Sequence, residues 1–228
     1  MTSPGIAFQE SLKDVDRLMS IHSDLTGTGP GRRHDVDVLN RSGILFACAA
    51  FEAFVETLAV DAFTAIVAQA SEPGKLPKPM RQAIAKRMRD DPHELKIWDL
   101  AGDGWKVVCQ QYKTEVLKKY VGPFNTPKAG NIDSLISELI GFPKLSSWWK
   151  WTGMTSVKAV SELASFVELR GTIAHGQKPA PKVSKAMVER HTAFLAKLSV
   201  RSANTVLLHC HELTGQHPWK PVKYGKIA

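Results

Sequence analysis

The sequence predicts an all-α protein, a helical bundle with a long central helix and additional helices on its C-terminal side. Apolar residues recur at three- and four-residue spacing along most of the chain, and no segment of convincing length alternates with the period of a strand. The stretch 35–70 is the most apolar of all, rich in Ala and Leu and with a long uninterrupted period, as a core helix requires. With 228 residues, 43% of them hydrophobic, the chain can bury a full core. We read 1–228 as one domain.

The first helix is expected over 6–25, with Leu12, Val15, Leu18, Met19 and Leu25 mostly on one face and Lys13, Asp14, Asp16 and Arg17 opposite, until GTGPGRR breaks it. Asp35 suits the N-cap of the central helix, which ends near Ala70. A loop follows over 71–79, then helices from Met80 to Arg89 and from Trp105 to Tyr120, separated by the turn-rich DDP and GDG pieces. Residues 120–130, with two prolines and two glycines, are excluded from helix. Asn131 is expected to cap a short helix ending at Ile140. Thr155 or Ser156 opens the next helix, whose apolar positions are Val157, Val160, Leu163, Ala164 and Val167. Gly176 suits a left-handed cap and Pro179 blocks continuation, so His175 is expected in the last turn. Helices over 181–199 and 200–213 complete the set, and 215–228 reads as an irregular basic tail.

Charge is unevenly placed. Residues 1–70 hold five Lys/Arg against nine Asp/Glu, whereas 178–228 hold nine against two, nearly the whole +8 excess of the chain. A basic flank either attracts polyanions through counterion release or acts as a solubilising tail. The opening MTSPGIAFQE lacks a basic start followed by an apolar core, and Glu52 and Glu56 interrupt the longest apolar run. The expectation is a cytoplasmic protein that does not enter a membrane. Cys48, Cys109 and Cys210 are odd in number and widely spaced, which implies no disulfide framework.

The chemistry-bearing stretch is ELRGTIAHG, 168–176. An always-charged guanidinium at Arg170 and an imidazole at His175 suit proton movement around a phosphate. A helix C-terminus also favours the protonated imidazole and its use as an acid. The plainer alternative makes Arg170 a surface residue and His175 a cap. No Gly-rich phosphate loop, serine nucleophile elbow or HExxH is present, which argues against nucleotide hydrolase, esterase and metalloprotease. His209, Cys210, His211 and His217 carry zinc-ligand chemistry, but adjacent helical residues point about 100° apart and no CxxC pair exists. A buried cysteine among surface histidines is the preferred reading, with no metal and no cofactor expected. Trp148, Trp149 and Trp151 beside Lys150 read first as core, with base stacking the functional alternative.

These residues resemble those of HEPN proteins, specifically the RiboL-PSP-HEPN group. The helix reading Arg170-Gly-Thr-Ile-Ala-His175-Gly176 is similar to the family's element, roughly R-x-x-x-I-A-H-G, with one residue fewer before the isoleucine, and it fits the family's R-x4-6-H spacing. RSGILFACAAFEAFVETLA, 41–59, is similar to its central helix, with Phe51-Glu52 as the aromatic-Glu element. FNTPKAGNIDSLISELIG, 124–141, is similar to the segment that precedes the catalytic helix. Together the matches span about 36–200.

The resemblance implies a metal-independent endoribonuclease, often a toxin or phage-defence effector, that acts as a homodimer on RNA, with Arg170 and His175 as catalytic residues. The ribose 2′-hydroxyl would attack the neighbouring phosphate while His175 moves a proton and Arg170 stabilises the developing charge; DNA would be spared. Positions five apart on a helix differ by roughly 140°, so the pair converges only if the last turn unwinds or if two copies share a cleft, which we favour. Glu52 either orients Arg170 or caps a buried polar network. Lys150, Trp151, Lys178, Lys182 and Lys185 are the expected RNA contacts, and a protein inhibitor or co-encoded partner is a further expectation. One departure stands out: the family commonly has Asn, Asp or His after the arginine, and this chain has Gly171. Thr172 is the candidate substitute for the missing orienting group. The alternative is a catalytically weakened module that binds RNA or a protein.

Overall fold

The computed structural model describes residues 2–27, 36–121, 126–176 and 182–224. Among them are eight α-helices and no strand: α1 (Pro4–Ser11), α2 (Lys13–Thr26), α3 (Asp37–Gln69), α4 (Lys78–Asp90), α5 (Gly104–Val121), α6 (Ala129–Ile140), α7 (Ser156–Ala174) and α8 (Lys185–Thr214). Short 3-10 turns lie at Pro73–Lys75, Glu94–Leu100 and Leu145–Trp148.

The central helix α3 packs against α1, α2, α5, α6, α7 and α8. Its apolar composition reflects that surround: Ile44, Ala47, Phe51, Leu58, Ala62 and Phe63 are buried on several sides. Length and hydropathy alone would let α3 cross a membrane; here it is the core of the bundle. Phe8 of α1 meets Phe51 edge-on and Phe54 at a tilt, with ring centroids 5.9 and 5.4 Å apart. Burying each such ring contributes about 1.5–3 kcal/mol. Gly43 is required where α3 meets its neighbours, because a Cβ there would stand 2.9 Å from Val188 Cγ1 of α8. One continuous apolar cluster runs from Phe8 to Val222.

Several boundaries differ from expectation. The helix expected over 6–25 is two helices that meet at Leu12. Both flanking i→i−4 bonds survive the break, from Leu12 N–H to Phe8 O and from Asp16 N–H to Leu12 O, each 3.1 Å. Leu12 is fully buried, so packing holds the junction, and no Gly or Pro marks it. The cap expected at Asp35 lies outside the described residues; Val36 is the N-cap of α3 and makes no side-chain cap bond. α6 begins at Ala129, so Asn131 sits inside its first turn, where the side-chain amide donates back to Thr126 O (2.9 Å).

The two helices expected over 181–213 are one helix of 30 residues, α8. Ser199 does not interrupt it, because its hydroxyl donates to Ala196 O (2.9 Å) within the helix. Ser184 supplies the N-cap, accepting from Met187 N–H at 3.2 Å. The tail is irregular, as expected, yet well anchored over its described part. Asn204 of α8 donates to Val222 O (2.9 Å) and accepts from Val222 N–H (2.8 Å), while Trp219 and Val222 are buried.

Candidate active site

Helix α7 is built to present Arg170 inward. Thr155 caps it by accepting from Lys158 N–H at 3.2 Å. Its buried residues Ala159, Leu163, Phe166 and Val167 form one stripe at helical spacing, and Arg170 continues that stripe four residues after Phe166. The guanidinium therefore turns toward α3, where Nη2 lies 3.7 Å from Glu52 Oε1, with the two side chains 31% and 23% exposed. That distance is an ion pair and longer than a hydrogen bond.

Glu52 lies one helical turn after Cys48, and the Cys48 thiol donates to the same Oε1 at 3.5 Å. Burial pushes the Glu52 carboxyl above the usual range, and the Arg170 charge pulls it part of the way back. Burial first, and the Glu52 charge second, push the Cys48 thiol up to about 12. Glu52, for which the sequence offers two roles, pairs with Arg170 and accepts from a buried thiol. Cys48 was not singled out, although its i,i+4 spacing from Glu52 was a readable signal.

His175 is the C-cap of α7, one residue beyond the expected last turn. Its backbone N–H donates to Gly171 O (3.0 Å) and its side chain is exposed. Gly176 follows with φ +61°, the left-handed conformation that ends the helix. Among the described residues no hydrogen bond or ion pair joins Arg170 to His175: one faces α3 and the other faces solvent. Thr172 donates its hydroxyl proton to Glu168 O (3.0 Å), so that proton is committed to its own helix. A Cβ on Gly171 would meet nothing within 4 Å, so space exists where a polar side chain would sit.

The other face of Glu52 lines a cavity of about 190 Å³ shared with Glu56, Tyr120, Thr126, Pro127 and Asn131. All three stretches that carry the family resemblance thus meet at Glu52. This convergence was invisible in the linear spacing.

The expected RNA contacts are dispersed. Lys150 is exposed, its Nζ 5.9 Å from the centroid of the exposed Trp148 ring. Trp149 is pure core, donating from Nε1 to Ser202 Oγ at 2.9 Å. Trp151 is half-buried against Phe194. Lys182 is exposed, and Lys178 lies outside the described residues. Lys185 donates to Ser23 Oγ and pairs with Glu189 at 3.6 Å, so its charge is partly used within the fold.

The C-terminal histidines take up structural contacts. His209 Nε2 lies 2.8 Å from Ile140 O, His211 stacks on His217, and Cys210 is buried between them in sequence with its thiol pushed up to about 12 by burial. Among the described residues no three His, Cys, Asp or Glu side chains gather as a metal would require.

A family model described as RiboL-PSP-HEPN matches residues 10–204 of the chain. No curated protein and no solved structure matches it.

Proposed function

The chain belongs to the RiboL-PSP-HEPN family, and from that membership we propose that it is a metal-independent endoribonuclease working through Arg170 and His175. The single observation that carries the reading is the position of the R-G-T-I-A-H-G element, 170–176. It lies on α7, with Arg170 held at the Glu52 carboxylate and His175 open to solvent at the helix end. In the reaction, the 2′-oxygen attacks phosphorus as His175 takes its proton, the bond from phosphorus to the 5′-oxygen breaks, and that oxygen leaves with the proton the imidazolium returns to it. Arg170 stabilises the charge on the non-bridging oxygens. The products are a 2′,3′-cyclic phosphate and a 5′-hydroxyl.

The two groups diverge within one chain, which supports a homodimer whose shared cleft takes Arg170 from one copy and His175 from the other. A strip of α3 beside Glu52 supports the same assembly: Leu45, Phe46, Ala49 and Ala53 are exposed there, Phe46 by 53%. The continuous core supports reading 1–228 as one domain. We assign the protein to the cytoplasm as a toxin or phage-defence effector, held in check by a co-encoded partner or inhibitor. Growth arrest on expression, relieved by His175→Ala, tests that role.

Gly171 favours a second reading, a catalytically weakened module that binds RNA, because no side chain there can orient the pair. Cleavage of mixed RNA in excess EDTA separates the two. The nuclease reading expects His175→Ala to lose about 10² or more in rate. Parent and variant behaving alike would overturn it.

A further inference from the structure

Outside the α7 site, Trp151 and Tyr224 border an open groove of about 440 Å³ along α8, with Lys197 and Arg201 on its rim and Val200 in its floor. Lys197 and Arg201 are one helical turn apart and both exposed, and neither takes part in an ion pair among the described residues. The Lys197 ammonium lies 5.4 Å from the centroid of the Tyr224 ring, which is 42% exposed. The two aromatic walls are held in place. Trp151 packs on Phe194 with ring centroids 6.2 Å apart, and the backbone beside Tyr224 is anchored through Asn204 to Val222 and through Gln9 to Lys223 O (3.4 Å).

Paired cations with no acidic partner select an anion, and flat rings beside them select an anion that carries flat rings of its own. A single-stranded polynucleotide has both features in the same repeat. An acidic peptide lacks regularly spaced rings, and a duplex keeps its bases stacked inside. We propose that this groove is a second RNA-binding site, which holds unpaired RNA away from the scissile linkage. One base stacks against Tyr224 or Trp151, and the adjoining phosphates meet Lys197 and Arg201. The proposal rests on the ribonuclease reading for its choice of RNA over DNA, but its geometry does not involve Arg170 or His175. None of Lys197, Arg201 and Tyr224 stands out in the sequence, because the tail has no periodicity to show that it folds back onto α8.

The test uses the full chain carrying His175→Ala and a fluorescent single-stranded RNA oligonucleotide, with anisotropy followed across a salt series. Adding Lys197→Ala with Arg201→Ala should weaken binding by about tenfold or more and lower the salt slope by about 1.4, at roughly 0.7 per phosphate for single strands. Tyr224→Leu should weaken binding at least about fivefold, the lower end of one lost stack. In the chain with His175 intact, the same changes should leave cleavage of a dinucleotide unchanged. Affinity and salt slope equal to the parent's, with unchanged melting, would overturn the groove while leaving the nuclease reading intact. Equal dependence on these residues for duplex RNA or polyglutamate would also overturn it. Groove variants that lose RNA binding in a chain that cleaves nothing in EDTA would uphold the groove and sink the nuclease reading. A parent chain that binds no RNA sinks both.

Discussion

Glu52→Gln isolates the contact on which the arrangement of Arg170 depends. Glutamine keeps the shape and still accepts from the Cys48 thiol, and only the charge facing the guanidinium disappears. At 3.7 Å and an effective dielectric near 20, the gross attraction is about 4 kcal/mol. Desolvation of two half-buried charges and partial exposure to water reduce the net coupling to about 1 kcal/mol. Burial outweighs the pull of Arg170 on Glu52, so the ionised carboxylate does not add to the stability of the fold. Its raised folded pKa means that its contribution is fully present below the ordinary value of 4.5 and is lost as pH rises through the folded value. Glu52→Gln alone should therefore shift unfolding stability at pH 7 by less than about 1 kcal/mol. A double-mutant cycle with Arg170→Gln, followed by denaturant unfolding, should return a coupling of about 1 kcal/mol. If that coupling orients Arg170 in the transition state, Glu52→Gln should lower kcat by about five- to tenfold with KM nearly unchanged. A coupling below about 0.3 kcal/mol, or a kcat equal to the parent's, would refute Glu52 as a positioning residue.

Other consequences follow from the same packing. Gly171 lies inside α7 with open space at its Cβ, so Gly171→Ala should stabilise the chain by about 0.5–1 kcal/mol in thermal unfolding, while Gly171→Asn should raise the cleavage rate; a loss of stability in the Ala variant would show that the site is crowded. All three cysteines are buried and free, with thiols pushed up to about 12, 11 and 12 at Cys48, Cys109 and Cys210, so a thiol reagent at pH 8 should label none in the native chain and three after denaturation. His191 is buried against Phe166, and burial, with Arg190 adding, holds its pKa below 6.5 despite Glu162. The unfolded chain therefore takes up a proton at a higher pH than the folded one, and stability should fall as pH drops below about 6.5 toward the folded value. His191→Gln should flatten that part of the unfolding profile; an unchanged slope would assign the acid sensitivity elsewhere.

The parts of the fold that depend on local period were legible in the sequence, and those that depend on packing were not. α3, the Thr155 cap of α7 and the left-handed Gly176 all follow from neighbours within four residues. The break at Leu12 leaves no such trace, because a buried leucine bridges it without Gly or Pro. The continuity of α8 through Ser199 was equally hidden, since a serine that bonds within its own helix looks in sequence like one that ends it. At the site, Arg170 and His175 were recognisable together because they share one short motif. The pairing of Arg170 with Glu52 crosses from α7 to α3, and only the family resemblance brought the two into one discussion. The tail read as a basic extension because Trp219 and Val222 are too few to set a period, yet Asn204 ties it to α8.

Cleavage in a shared cleft requires that one copy supply the guanidinium and the other the imidazole. Arg170→Ala and His175→Ala chains, each purified alone, should be nearly inactive on RNA in excess EDTA. Mixed and allowed to exchange subunits, they should regain activity, because each mixed dimer holds one cleft with an intact Arg170 and an intact His175. A mixture that forms mixed dimers yet cleaves no faster than either variant alone would contradict the shared cleft.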